Sequence, residues 1–103
     1  MTFELTCTNG KFCIDNLRLS DITDLFSVTT INNVSFCITD GESTISLSAR
    51  DNDSIEMWLT FKGRMFYSKG HRFAIYCFDS FDIIYLYDES SHIVFSVTID
   101  KES

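Results

Sequence analysis

The sequence contains no proline and only four glycines among its 103 residues. No stretch reaches the roughly 18 consecutive apolar residues that a membrane-spanning helix requires, and the longest apolar block covers only residues 73–78. The N-terminal residues have neither the basic start nor the apolar run of a signal peptide. These absences predict a single domain, residues 1–103, in the cytoplasm with no membrane association.

Basic residues are scarce, with eight Lys and Arg against 15 Asp and Glu, which gives a net charge of −7. Binding to nucleic acid phosphates requires clustered cations, so this balance disfavours DNA or RNA as a partner. An acidic surface instead steers a protein toward basic partners. The charge therefore favours another protein, and a basic one, as the binding partner.

Motifs that support catalysis or metal binding are also missing. His71 and His92 are the only histidines, and neither belongs to a nucleophile–base motif. There is no glycine-rich phosphate loop. Cys7 and Cys13 are too far apart for a C-x-x-C pair, and residues 51–53 lack the glycine and glutamate of a calcium loop. We therefore expect no enzyme activity, no cofactor and no metal.

The four cysteines are expected to be buried free thiols, since a chain of this size and hydrophobic content can form a core without disulfides. A disulfide between Cys7 and Cys13 depends on the intervening Asn9-Gly10 turn. A two-residue turn places Cys7 opposite Phe12, with the two cysteines on opposite faces, and so forbids the bond. A three-residue loop would allow it.

Alternating apolar and polar residues are the main structural signal that is present. Asn9-Gly10 and Asp40-Gly41 are strong hairpin signals. Half-buried strands are predicted at residues 3–7, 34–39, 44–49, 55–62 and 93–99, and residues 73–78 and 83–87 are apolar on both faces. The pattern predicts a mainly β, β-rich α+β fold, with an antiparallel meander of about seven or eight strands as a rolled sheet or sandwich.

A strand that is apolar on both faces needs a second layer to cover it. The best candidate is a short helix near residues 21–28, with Ser20 as its N-cap and aspartates in its first turn. Its apolar stripe would be formed by Ile22, Leu25 and Phe26. The alternative cover is a second sheet, which would give a sandwich or a partly closed barrel.

Two turns suggest strand registers in the second half of the chain. A Gly63-Arg64 turn would pair Phe61 with Phe66, and a Lys69-Gly70 turn would pair Phe66 with Phe73. These three phenylalanines would then form a ladder on one face. The opposite face would present Trp58, Tyr67, Arg72 and Tyr76.

Function is predicted from the acidic loops near the end of the chain, which adjoin aromatic residues. An aromatic anchor surrounded by polar groups is typical of protein interfaces. The leading hypothesis is a small acidic protein-binding module, an inhibitor of the immunity or anti-defence type that blocks a basic nuclease or toxin. Its partner-binding residues are predicted to be Asp79, Phe81, Asp82, Tyr87, Asp88 and Glu89.

Two other functions remain open at this stage. The strands that are apolar on both faces also fit a ligand-binding β-barrel or roll with an aromatic pocket. The predicted face around Trp58 would suit stacking on single-stranded nucleic acid, although the charge opposes this. A homodimer through an exposed edge strand is compatible with each function, and the sequence does not identify the edge.

Overall fold

The computed structural model describes residues 2–13 and 26–100, and these residues form β-strands joined by turns, with no helix among them. The strands are β1 (Thr2–Thr8), β2 (Lys11–Phe12), β3 (Ser27–Ile31), β4 (Ser35–Thr39), β5 (Ser43–Ala49), β6 (Ile55–Phe61), β7 (Arg64–Gly70), β8 (Arg72–Cys77), β9 (Phe81–Tyr87) and β10 (Ile93–Asp100). The prediction of a mainly β fold is confirmed.

The strands form two five-stranded sheets in which the neighbouring strands are antiparallel. The first sheet has the order β10-β9-β8-β1-β2, and the second has the order β3-β4-β5-β6-β7. The chain passes from the second sheet to the first between β7 and β8. Because most connections are short hairpins, the fold is the antiparallel meander that the turn signals predicted.

One hydrophobic core joins the two sheets. At its centre, Phe36 of the second sheet contacts two rings of the first sheet, with centroids 5.8 Å from Phe3 and 6.4 Å from Phe73. Leu5 and Ile38 are completely buried in the same core. Side chains therefore fill the space between the sheets, and the architecture is a β-sandwich.

The predicted short helix is not seen. Ser27 and Val28, the last residues of its range, belong to β3, and residues 21–25 lie outside the described residues. Val28 is followed by two threonines and an isoleucine, and such β-branched residues favour strands. The second sheet supplies the cover that the helix was expected to provide.

The Asn9-Gly10 turn is confirmed as a two-residue hairpin, with φ of 56° at Asn9 and 75° at Gly10. Positive φ at both positions is the type I′ geometry that matches the twist of the strands. The turn sets Cys7 opposite Phe12, as predicted for this loop length. None of the four cysteines forms a disulfide. Cys7 and Cys77 are buried as expected, whereas the expectation of burial is wrong for Cys13, which is exposed.

The predicted phenylalanine ladder is wrong. The turn after β6 uses Lys62-Gly63, with φ of 51° and 73°, so Phe61 pairs with Arg64 instead of Phe66. Gly70 ends β7 and leads into the other sheet instead of forming a hairpin turn. Consequently Phe66 and Phe73 lie in different sheets and cannot be ladder neighbours.

Candidate functional site

The outward side of the first sheet carries a row of aromatic side chains. In β9, Ile84 and Leu86 are fully buried, so the alternating residues Phe81, Tyr85 and Tyr87 point away from the core. Tyr76 of the adjacent strand β8 lies on the same side, as do the rings of the turn that follows it. We call this surface the aromatic face, and it comprises Tyr76, Phe78, Phe81, Tyr85 and Tyr87.

The rings of the aromatic face contact one another along the strands. Tyr85 lies with its ring centroid 5.7 Å from that of Tyr76 and 5.8 Å from that of Tyr87. Phe78 stacks on Phe81 with centroids 4.8 Å apart and ring planes inclined by 27°. These contacts hold the rings as two clusters along β8 and β9.

The turn between β8 and β9 exposes one end of this face. The Phe78 N–H donates to the Phe81 carbonyl at 2.9 Å, which closes a tight turn with Asp79 and Ser80 at its tip. Phe78 is 48% exposed, and the Asp79 side chain next to it is also exposed. A large apolar ring and a carboxylate are thus presented together to solvent.

Arg72 occupies the other end of the face. Its guanidinium carbon lies 3.9 Å from the centre of the Tyr87 ring, and its Nη1 donates to Glu4 Oε1 at 3.1 Å. Burial, followed by a side-chain hydrogen bond with Tyr76, raises the pKa of the Tyr87 hydroxyl. The Arg72 guanidinium is therefore paired with the Glu4 carboxylate and attracted to the face of the Tyr87 ring.

The predicted acidic residues do not form one cluster. Asp79 precedes β9 and Asp88 follows it, so the length of β9, about 20 Å, separates them. Asp88 Oδ1 accepts the backbone N–H groups of Ser90 and His92, each at 2.9 Å, and thereby holds the β9–β10 turn. Glu89 in the same turn is exposed. The structure places these acids at opposite ends of the aromatic face.

Asp82 does not reach the surface. It is 1% exposed and lies on the inward side of β9, in phase with Ile84 and Leu86. The burial of Asp82 could have been predicted from the sequence, because the two-residue period of residues 81–87 puts Asp82 on the same side of the strand as the apolar core positions. The same period assigns Tyr85, which the sequence analysis missed, to the side of Phe81 and Tyr87.

The four residues predicted to share an aromatic face lie in two sheets. Trp58 and Tyr67 pair across β6 and β7 in the second sheet, with ring centroids 5.3 Å apart. Arg72 and Tyr76 lie in β8 of the first sheet. The prediction assumed a hairpin at Gly70, and the crossing between sheets there separates the two pairs.

Glu56 organises the polar side of the Trp58–Tyr67 pair. Its carboxylate accepts hydrogen bonds from the Tyr67 hydroxyl and from Arg50 Nε. The hydrogen bond from Tyr67, followed by that from Arg50, lowers the pKa of Glu56. The same hydrogen bond raises the pKa of Tyr67. The polar groups beside this second aromatic pair, those of Arg50, Glu56 and Tyr67, are thus hydrogen-bonded to one another.

A shallow cleft of about 160 Å³ opens at the end of the sandwich that bears the β9–β10 turn. It is lined by Asp53, Ser54, Lys69, Gly70, His71, Asp88 and Glu89. His71 Nδ1 lies 2.8 Å from the Asp53 carbonyl oxygen, so the ring is held by the backbone. Within residues 2–13 and 26–100, no group of three or more His, Cys, Asp or Glu side chains is placed to hold a metal ion.

No protein-family model, curated protein or solved structure matches this chain. No helix of the described residues is long and apolar enough to cross a membrane.

Proposed function

We propose that the protein is a small acidic protein-binding module whose binding surface is the aromatic face. The observation that supports this most directly is the set of contacting rings on an outward sheet surface. Interface centres are enriched in tyrosine, phenylalanine and arginine, and large, rigid side chains of this kind contribute most of the binding energy. Arg72, stacked on Tyr87, adds the third of these residue types.

The charges around the face favour a basic partner. Asp79 and Glu89 extend from the turns at its two ends, and Asp100 lies beside Phe81 on the neighbouring strand. Arg72, the cation that the described residues place at the end of the face, is paired with Glu4. An acidic rim around an apolar centre would accelerate association with a basic surface and suppress other partners.

The same arrangement supports the more specific proposal of an inhibitor of the immunity or anti-defence type. Carboxylates at the edge of a rigid surface can occupy a basic site built for phosphate, as found in a nuclease or a nucleic-acid-directed toxin. The free cysteines, including the exposed Cys13, are consistent with a reducing compartment and support our proposal of a cytoplasmic location.

The test uses two pairs of matched variants as baits in affinity purification from the native host. Tyr85→Ala removes the ring at the centre of the face, and Tyr67→Ala is its control on the opposite sheet, where Tyr67 is 50% exposed. Asp79→Asn with Glu89→Gln neutralises the two rim carboxylates that lie in the turns. The control for that pair is Asp40→Asn with Glu42→Gln, both exposed and located in the β4–β5 turn.

We expect the wild type and both controls to retain the same basic protein. Tyr85→Ala should weaken binding of that purified protein by roughly 30-fold or more, the scale of a central interface residue. The neutralised rim should slow association and flatten its dependence on salt. No retained protein, or equal loss in the controls, would refute the proposal. Loss of the partner's own activity on stoichiometric addition of the module would support inhibition.

A further inference from the structure

Strand β10 lies at one edge of the first sheet within the part of the chain that the structure describes. There it pairs with β9 alone. The edge of the second sheet, β7, lies on the same side of the sandwich, as shown by the 6.1 Å separation of the Phe66 and Phe95 rings. An edge strand presents a row of backbone donors and acceptors that can pair with another strand.

The two edges differ in how they are protected. Strand β7 contains Arg64 and Lys69, and charged side chains, especially lysine, discourage pairing at an edge. Strand β10 has no charged residue from Ile93 through Ile99. Its only irregularity is a shift in register between Ile93 and Phe95, so Phe95 to Asp100 is regular. Of these two adjacent edges, β10 is therefore the one that is open to pairing.

The regular part of β10 has the same chemical pattern in both directions. Apolar side chains at Phe95, Val97 and Ile99 alternate with hydroxyl side chains at Ser96 and Thr98. The hydroxyl residues are exposed on the outward side, whereas Ile99 is buried in the core. A strand with this symmetry is complementary to an antiparallel copy of itself.

Antiparallel pairing centred on Val97 would place each side chain of this segment opposite one of the same chemical type. Phe95 would face Ile99 of the other copy on the inward side, and Ser96 would face its Thr98 on the outward side. Apolar pairs and hydroxyl pairs directly across two strands are both stabilising. No charge would be placed opposite a like charge, which matters for two molecules that each have a net charge of −7.

We propose that two copies of the protein associate through antiparallel β10 strands centred on Val97, which joins their first sheets into one continuous sheet. The occupant of the edge is a second copy because the matching pattern is present in β10 itself. The outward side of the sheet is preserved across the junction, so the two aromatic faces point in the same direction. The dimer would then present both faces to a partner, a consequence beyond the proposed binding function of one copy.

Two double variants that differ only in the sign of one charge test this pairing. Ser96→Lys with Thr98→Lys places lysines opposite each other twice across the junction, whereas Ser96→Glu with Thr98→Lys places Glu opposite Lys. Thr60→Lys is the control, because Thr60 is exposed on the interior strand β6. Sedimentation velocity over a concentration series reports the mass, and thermal melting confirms that each variant folds.

We expect the wild type, Thr60→Lys and the Glu–Lys variant to reach twice the monomer mass of 11.9 kDa, and the Lys–Lys variant to remain at 11.9 kDa. A wild type that stays monomeric at millimolar concentration would overturn the proposal. So would a Lys–Lys variant that still dimerises, or a folded Glu–Lys variant that does not. If the variants fail to fold, hydrogen exchange of the wild type decides: β10 amides should gain protection with concentration, and unchanged exchange would refute the pairing.

Discussion

Replacing Phe36 with leucine should weaken the contact between the two sheets. Phe36 is 1% exposed and meets two rings of the first sheet, those of Phe3 and Phe73. Leucine keeps most of the apolar volume but removes both ring contacts. Each aromatic pair contributes about 0.5–1.5 kcal/mol beyond its buried area, so the loss should be about 1–3 kcal/mol in the free energy of unfolding.

Thermal and urea denaturation followed by circular dichroism measure this change. A loss of about 1–3 kcal/mol corresponds to a decrease of roughly 4–24 °C in Tm for a domain of this size. Phe78→Leu is the matched control, because Phe78 stacks on Phe81 but is 48% exposed. Its cost should be smaller than that of Phe36→Leu, because a half-exposed ring buries less apolar area. Equal shifts for the two variants would refute the assignment of Phe36 to the junction of the sheets.

Two titratable groups give further predictions. Tyr67→Phe should raise the pKa of Glu56 toward the ordinary value of 4.5, because the Tyr67 hydrogen bond is the main cause of its lowering. Since a lowered carboxyl pKa stabilises the fold above the unfolded pKa and loses that effect as the pH falls through the folded pKa, the variant should lose less stability in acid. An NMR titration of Glu56 that is identical in both proteins would contradict this. The exposed Cys13 should react with a thiol reagent in the folded protein. Cys7 should react only on unfolding, because it is buried and that burial raises the pKa of its thiol. Equal reaction rates for the two thiols would contradict this prediction.

The sequence predicted the strands better than their registers. Strand β6 alternates strictly between core and surface positions, so its type and its inward side could be assigned from the two-residue period alone. The turn that follows it could not, because Gly63 is compatible with a turn at 62–63 or at 63–64. The structure uses Lys62 with φ of 51°, a conformation that is uncommon for a residue with a side chain and that the sequence does not indicate.

Some residues of the candidate site could be predicted from the sequence, but the contacts between them could not. Phe81 and Tyr87 were identified from their position beside acidic loops, and the period of β9 would have added Tyr85. The contact of Arg72 with Tyr87 requires β8 and β9 to be neighbours in a particular register. That register is set by the tight turn closed between Phe78 and Phe81, and the turn contains neither glycine nor proline to mark it in the sequence.

The crossing at Gly70 has a steric basis that provides the last prediction. A Cβ atom at this position would lie 2.5 Å from Leu86 Cγ and 2.8 Å from the Tyr87 carbonyl oxygen. That carbonyl accepts the His71 N–H at 2.7 Å, so the clash falls on the hydrogen bond at the crossing. The φ of Gly70 is not positive, so its backbone conformation does not require glycine. Glycine is needed here because the chain approaches Leu86 and Tyr87 too closely to leave room for a Cβ atom.

Gly70→Ala should therefore destabilise the protein by about 1–3 kcal/mol, the usual cost of inserting a methyl group into packed structure. The cost should decrease in a Leu86→Ala background, because that change removes Leu86 Cγ and leaves only the contact with the Tyr87 carbonyl. A double-mutant cycle from urea denaturation measures this coupling. If the two changes were simply additive, the close approach to Leu86 would not be the reason for glycine at the crossing. If Gly70→Ala cost nothing in either background, neither contact would constrain the position.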